Sequence, residues 1–301
     1  MTGLYVHIPF CKKKCLYCDF VSFNYDEQKA DAYIDALLKE AGKYKNEHIS
    51  TVYVGGGTPS ILSIKQIEKL ISTIKENFDI TDLQEFTIEL NPESTTADKL
   101  QLLFDLGISR LSFGLQSAND NELTVLGRLH NFDTFLSAYN NAKKTGFNNI
   151  SIDLMYGIEN QTEENWNQTL DTVLKLNSDH ISLYPLTIEK NTPFFSQNKK
   201  IDSDLQGQMY QIACDKLKNH GFIHYEISNW AKNDKHSKHN TLYWKNKEYI
   251  GLGVSASSYH NRERFKNVLN TDVYIKNISL GKSCVLETEY IDDNLYKTET
   301  I

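Results

Sequence analysis

Short apolar runs recur between residues 4 and 186 with helical patterns between them, and this alternation limits the folds open to the chain. The runs are "LYVHI" at 4–8, "TVYVG" at 51–55, "FTIEL" at 86–90, "RLSFG" at 110–114, "ISIDLMYG" at 150–157 and "HISLYPL" at 180–186. The spacers carry apolar residues at helical spacing: Ala30, Tyr33, Ile34, Leu37, Leu38 and Ala41 share one stripe, and Ile64, Ile67, Ile71 and Ile74 another. Phe132, Phe135, Tyr139 and Ala142, then Trp166, Leu170, Val173 and Leu174, repeat the pattern. Strands separated by helices predict a parallel sheet, with the helical stripes packed on it. Gly107 and Gly146 stop helices a few residues before the next strand.

Six such units fall short of the eight that close a full barrel, so the predicted fold is α/β, a partial, open (β/α)6 barrel. In sheets of this kind the site lies at the carboxyl ends of the strands. His7, Gly55 to Thr58, Glu89, Gln116 and Asp153 are the polar or glycine residues expected there. From about residue 195 the rhythm changes. A helix near 203–220 is followed by "FIHYEISNWA", "HNTLYWKNKEYIGLGVSASSYHN" and "VLNTDVYIKNI", which predict a smaller, irregular α+β region. The expected division is therefore 1–194 and 195–301. The chain ends at "LYKTETI" in what reads as the first turns of a helix, which suggests a C-terminus that continues.

The chemistry-bearing stretch is "HIPFCKKKCLYCDF" at 7–20, with Cys11, Cys15 and Cys18 in one short loop. The cysteines number five in all, and Cys214 and Cys284 are remote and read as inert thiols. An odd, crowded set is not a disulfide framework. A structural zinc in a His7, Cys11, Cys15, Cys18 set is one reading, because thiolates and imidazole satisfy a tetrahedral ion. Its weakness is that such sites take ligand pairs from separate segments. The other reading is a [4Fe-4S] cluster: the C-x3-C-x2-C spacing suits three corners of a cube and leaves one iron open to a small ligand.

Other residues fit such a ligand. "GGGTP" at 55–59 ends a strand with three residues lacking Cβ, where backbone approaches a ligand closely. Glu89 and Asp153, read as strand ends, can accept from an ammonium or from hydroxyls, while Gln116 and Arg128 suit a hydroxyl and a carboxylate. A net charge of -7 removes the footprint of a nucleic-acid binder, although "KYK" at 43–45 and "KNDKHSK" at 232–238 are locally basic. No signal peptide or membrane span is visible, so a cytoplasmic protein is expected.

"LYVHIPFCKKKCLYCDF", "GGGTPS", "IELNPE", "RLSFGLQS", "LGRLH", "IDLMYGIENQT" and "HNTLYW" occur in this order and resemble the oxygen-independent coproporphyrinogen-III oxidase family of the radical S-adenosylmethionine (SAM) superfamily. The resemblance implies a [4Fe-4S] cluster on Cys11, Cys15 and Cys18. It implies SAM contacts at Tyr5, Tyr17, Gly56, Gly57, Thr58, Glu89, Gln116, Arg128 and Asp153, and at Thr187 through its backbone. The family divides into oxidases, which decarboxylate a porphyrinogen, and a heme-chaperone branch. The oxidases carry a further cysteine two positions after the third, where this chain has Phe20, and a sizeable N-terminal extension, whereas here the first strand begins at residue 4. "HNTLYW" at 239–244 resembles the H-N-x-x-Y-W motif of the chaperone branch. The resemblance therefore implies heme binding, with His239 as its contact and His236 as the rival, and heme-accepting respiratory proteins as partners, some of them membrane-associated. An oxidase of porphyrin biosynthesis is the alternative.

Overall fold

The computed structural model describes residues 1–299. Six parallel strands form in the expected places: β1 (Gly3–Ile8), β2 (Thr51–Gly56), β3 (Glu85–Leu90), β4 (Arg110–Gln116), β5 (Ile150–Tyr156) and β6 (His180–Pro185), each hydrogen-bonded to the next in sequence order. Between them run α1 (Glu27–Ala41), α2 (Ile64–Asn77), α3 (Ala97–Asp105), α4 (Asp120–Leu126), α5 (Phe132–Thr145) and α6 (Glu163–Lys175). Side chains at strand and helix starts explain the boundaries. Ser63 and Gln66 make a reciprocal capping box on α2, Asp26, Thr96, Asn131 and Thr162 cap four others, and Gly146 ends α5 at φ 114°.

The residues after 195 flank both edges of this sheet. Helix α7 (Ser203–Asn219) follows β6, and β7 (Ile223–Glu226) and β8 (Asn229–Ala231) extend the sheet antiparallel beyond it. Helix α8 (Lys238–Trp244) comes next, and β9 (Tyr249–Leu252) then pairs parallel to β1 on the opposite edge, Gly3 beside Tyr249. Strands β10 (Ser257–His260) and β11 (Glu263–Asn267), helix α9 (Thr271–Ser279), strand β12 (Val285–Tyr290) and helix α10 (Asp293–Glu299) complete the order. The full sheet has 12 strands and, among the described residues, an open order with β12 at one edge and β7 at the other. The fold is α/β as expected, and antiparallel strands at both edges make the helix-covered sheet mixed.

Alternation along each parallel strand separates two faces. Leu4, Val6, Val52, Val54, Phe86, Ile88, Leu111, Phe113, Ile152, Leu154, Ile181 and Leu183 are buried with the helical stripes in one core. The opposite parity is polar: Tyr5 and His7, Thr51 and Tyr53, Glu85, Thr87 and Glu89, Arg110 and Ser112, Ser151 and Asp153, His180 and Ser182. The other face of the sheet is thus lined by hydrogen-bonding groups, and helix α8 sits against it. The backbone N–H groups of Lys238 and His239 donate to Glu85 at 3.0 and 3.1 Å. A helix N-terminus on a carboxylate is favourable both as a cap and for the helix dipole.

Three expectations change. Asp153 is the fourth of seven residues in β5 rather than its end. "HNTLYW", within the region read as irregular, is helical, and Ser237 caps its N-terminus by accepting from the Asn240 N–H. A seventh parallel strand, β9, arises from "YIGL" within the region read as irregular.

Candidate cofactor and metal site

The cysteine loop is held by backbone on several sides. Phe10–Cys11 pairs with Phe23–Asn24, and the Tyr25 N–H donates to the Cys11 carbonyl at 2.9 Å. Leu16 donates to the Leu126 carbonyl at 3.1 Å and receives the Phe194 N–H on its own carbonyl at 3.1 Å. Beneath it, Leu126, Met155, Ile158, Leu186 and Phe194 form a small apolar cluster against which Leu16 and Tyr17 pack. These contacts tether the loop at Cys11, Leu16 and Tyr17.

Two of the thiols have polar side-chain partners, and these partners are linked. The Thr58 hydroxyl donates to Cys11 Sγ at 3.3 Å, and Arg128 Nη1 lies 3.6 Å from Cys15 Sγ. Asn91 joins them: its Nδ2 donates to Thr58 Oγ1 at 2.9 Å, and its Oδ1 accepts from Arg128 Nη2 at 2.8 Å. Arg128 Nη2 also donates to the Gly114 carbonyl at 2.7 Å, and its buried Nε has no hydrogen-bond partner among the described residues. Gln116, in a left-handed conformation at φ 73°, closes the same corner, where a Cβ on Gly114 would lie 3.1 Å from its Nε2.

Burial pushes the Cys11 thiol up, against the Thr58 hydrogen bond, and pushes Cys18 up to about 11, with the charge of Cys15 adding to it. Burial also raises the Tyr17 phenol, opposed by the neighbouring Arg128 charge. Desolvation works against the Arg128 charge, but Tyr17, Cys15 and Glu93 more than offset it and raise its pKa. Three thiols that feel one another's charge, beside a guanidinium and a hydroxyl donor, are a donor set suited to an electron-poor centre that takes thiolates. Among the described residues no three His, Cys, Asp or Glu side chains converge on one point as a single metal ion requires. The zinc reading also loses its histidine. His7 donates from Nε2 to the Val21 carbonyl at 2.8 Å and accepts on Nδ1 from the Tyr5 hydroxyl at 3.0 Å, and burial keeps it neutral.

The glycines at the end of β2 are filled by the protein itself. A Cβ on Gly56, whose φ is 113°, would lie 2.7 Å from the His7 ring, and one on Gly57 would lie 2.9 Å from the Phe10 carbonyl. Glu89 accepts from Tyr53 at 2.7 Å and from the Gly56 N–H at 3.1 Å; burial pushes its carboxyl up to about 7. Asp153 accepts from Ser112 at 3.1 Å and from Ser151 at 3.3 Å, and burial raises it too. Thr187 is exposed in the segment after β6.

A cavity of about 200 Å³ is lined by Tyr5, Tyr53, Gly56 and Glu89 of the sheet and by His239, Asn240 and Tyr243 of helix α8. Phe20, 62% exposed, stands at its rim. His239 is 1% exposed, with Nδ1 2.9 Å from Thr51 Oγ1 and Nε2 2.8 Å from the Tyr243 hydroxyl, and burial lowers it to about 3. Both of its nitrogens are engaged. His236 stacks on Tyr225 at 4.3 Å, and its buried Nε2 has no hydrogen-bond partner among the described residues. The cysteines, Tyr17, Thr58, Gln116 and Arg128 therefore gather at one corner, and Tyr5, Gly56, Glu89 and His239 line a cavity. Sequence reasoning missed Asn91 and Tyr53; the "N" of "IELNPE" and the "Y" of "TVYVG" were the available signals.

Comparison with known proteins extends this geometry. The family model described as "Radical SAM superfamily" matches residues 5–173. The protein named "Heme chaperone HemW" of Lactococcus lactis subsp. lactis is 38% identical over 280 residues, covering 91% of this chain and 74% of that protein. Its namesake in Bacillus subtilis is also 38% identical, over 91% of this chain and 75% of its own length. The chain belongs to the HemW-like radical SAM family. Its fold matches the solved structure titled "Coproporphyrinogen III oxidase (HemN) from Escherichia coli is a Radical SAM enzyme", with a TM-score of 0.88, 27% identity, and coverage of 99% of this chain and 74% of that one. For a HemW-like chain, membership implies a [4Fe-4S] cluster and SAM, and the thiols and donors described above fit that pair. Among the described residues no helix is long and apolar enough to cross a membrane.

Proposed function

We propose that this protein holds a [4Fe-4S] cluster on Cys11, Cys15 and Cys18, binds SAM beside it, and binds heme for transfer to acceptor proteins. The observation that carries the reading is the Thr58–Asn91–Arg128 chain, which brings a donor to Cys11 and another to Cys15. When bound, the cluster held by Cys11, Cys15 and Cys18 would supply one-electron reductive cleavage of SAM.

The chain's own residues divide the remaining work. Arg128, with its unpartnered Nε, offers a guanidinium to a carboxylate, and Gln116 stands beside it. Glu89 and Asp153 accept from an ammonium or from hydroxyls, Tyr5, Tyr17, Gly56, Gly57 and Thr58 surround the ligand, and Thr187 contributes backbone from the next loop. In this reading residues 1–194 hold the cofactors, and residues 195–301 cover them and present heme. On α8, Trp244 is 62% exposed and gives flat apolar area for a porphyrin. His239 is the contact its motif implies, but His236 has the ring nitrogen without a partner. A heme-accepting partner, membrane-associated or not, then receives the cargo, and a net charge of -7 disfavours nucleic acid as a competing ligand.

A second reading, oxygen-independent coproporphyrinogen-III oxidase, is favoured by the structural match to the Escherichia coli enzyme. One experiment separates them. The anaerobically reconstituted protein is titrated with heme and, in parallel, assayed for coproporphyrinogen consumption with SAM and a reductant. Saturable heme binding without turnover supports the chaperone; turnover to protoporphyrinogen defeats it. His236→Ala and His239→Ala titrated alongside show which ring heme requires.

A further inference from the structure

Two residues beyond Arg128 the chain buries a second basic side chain. Leu129 is 44% exposed, whereas the side chain of His130 is wholly inaccessible. The His130 ring lies between two acceptors. Its Nε2 is 3.1 Å from the Leu115 carbonyl, which can only accept, so that nitrogen carries a proton. Its Nδ1 lies 3.4 Å from Glu93 Oε2, and neither of these buried atoms has a hydrogen-bond partner among the described residues. A bare ring nitrogen there would set its lone pair against a carboxylate with no donor between them. A second ring proton removes that conflict and makes the contact an imidazolium against a carboxylate. Burial works against the Glu93 charge, but the His130 ring and the Arg128 guanidinium outweigh it and hold the carboxyl below its ordinary range.

Glu93 sits in the turn Pro92–Ser94, directly after Asn91, so one short segment faces both basic side chains. Arg128 is bonded to Asn91 and to the Gly114 carbonyl and lies beside Cys15 Sγ, but among the described residues no carboxylate forms an ion pair with it. We propose that His130 holds Glu93 away from Arg128, so that the guanidinium stays open to the carboxylate of an incoming ligand. Glu93 and His130 are then positioning residues that act through Arg128. This rests on the reading of Arg128 as the group that meets the SAM carboxylate. A carboxylate and a guanidinium close readily into a bidentate fork. Arg128 already feels the Glu93 charge, and without a competing cation Glu93 would fold onto the guanidinium and occupy the edge that the ligand needs.

A double-mutant cycle tests this in the full-length, anaerobically reconstituted protein, with SAM binding measured by equilibrium dialysis in the absence of reductant. His130→Gln keeps a donor for Leu115 but carries no positive charge, and is expected to weaken SAM binding about tenfold, the scale of one lost charge-assisted hydrogen bond. Adding Glu93→Gln removes the competitor and is expected to restore binding to within about threefold of the parent, with Glu93→Gln alone completing the cycle. A merely structural defect would not be repaired by a second substitution in the same buried contact. Circular dichroism checks that each variant is folded. Ring 15N resonances of His130 in the cofactor-free parent need no variant, and are expected to show both nitrogens protonated. Parental affinity in folded His130→Gln, no repair in the folded double variant, or a bare Nδ1 overturns the proposal. A parent that binds no SAM defeats the reading of Arg128 and the proposal with it, and that failure is distinguished because it precedes any substitution.

Discussion

Thr58 and Arg128 reach different thiols, Cys11 and Cys15, but share Asn91, which donates to the hydroxyl at 2.9 Å and accepts from the guanidinium at 2.8 Å. A single amide thus fixes both donors around the cysteine loop, and its two ends cannot be exchanged without losing a bond. Asn91→Ala removes a hydrogen bond to a charged group worth about 1.5–3 kcal/mol and leaves Arg128 less restrained. The variant is expected to unfold at lower denaturant and to retain less iron and sulfide per chain after anaerobic reconstitution. Asn91→Asp, which keeps the acceptor for Arg128 and loses the donor to Thr58, is expected to fall between it and the parent.

The cysteines themselves give the cleanest metal prediction. Replacing Cys11, Cys15 and Cys18 with alanine is expected to abolish the brown, broad charge-transfer absorbance of the reconstituted protein, while Cys214→Ala and Cys284→Ala leave it intact. Iron analysis after gel filtration checks this. Full absorbance in the triple variant would move the cluster elsewhere on the chain.

Glu89 has a folded-state pKa of about 7 against an ordinary value of 4.5, because burial outweighs the bonds from Tyr53 and Gly56. The sign follows from linkage: the folded state binds this proton more tightly than the unfolded one, so the associated stability is full below pH 4.5 and is lost as pH rises through 7. The loss amounts to a few kcal/mol at most, since a shift of one unit is worth about 1.4 kcal/mol. Unfolding midpoints measured across that window are expected to fall more steeply in the parent than in Glu89→Gln, which has no proton to lose. Parallel slopes would place the titration on another group.

Most of the parallel sheet could be read in the sequence, because strands separated by long amphipathic helices admit few arrangements. The polar face could have been read as well. "RLSFGLQ", "ISID" and "HISLY" alternate polar and apolar residues, whereas parallel strands buried on both faces read as continuous apolar runs. The missed features depend on distance in space. Nothing local marks "YIGL" as the strand that pairs with β1 across the length of the chain. Asn91 gains its meaning only when Thr58 and Arg128, 33 and 37 residues away, meet it. His239 shows the converse. Its motif was legible, but the two hydrogen bonds that occupy both its nitrogens come from the fold.

Two glycines test whether backbone or cofactor dictates the residue. Gly56 has φ 113°, and an added Cβ would lie 2.7 Å from the His7 ring, which is itself held by Tyr5 and Val21 and has nowhere to move. Backbone strain of about 1–3 kcal/mol and overpacking of about 1–3 kcal/mol add, so Gly56→Ala is expected to destabilise the protein strongly even with no cofactor present. Gly207 lies inside α7 with no atom within 4 Å of a would-be Cβ. Gly207→Ala relieves the unfolded chain of glycine's freedom and is expected to stabilise by about 0.5–1 kcal/mol. Urea unfolding of the cofactor-free chain measures both. A Gly56→Ala midpoint equal to the parent's would mean that the loop yields, and that the requirement for glycine comes from the bound ligand instead.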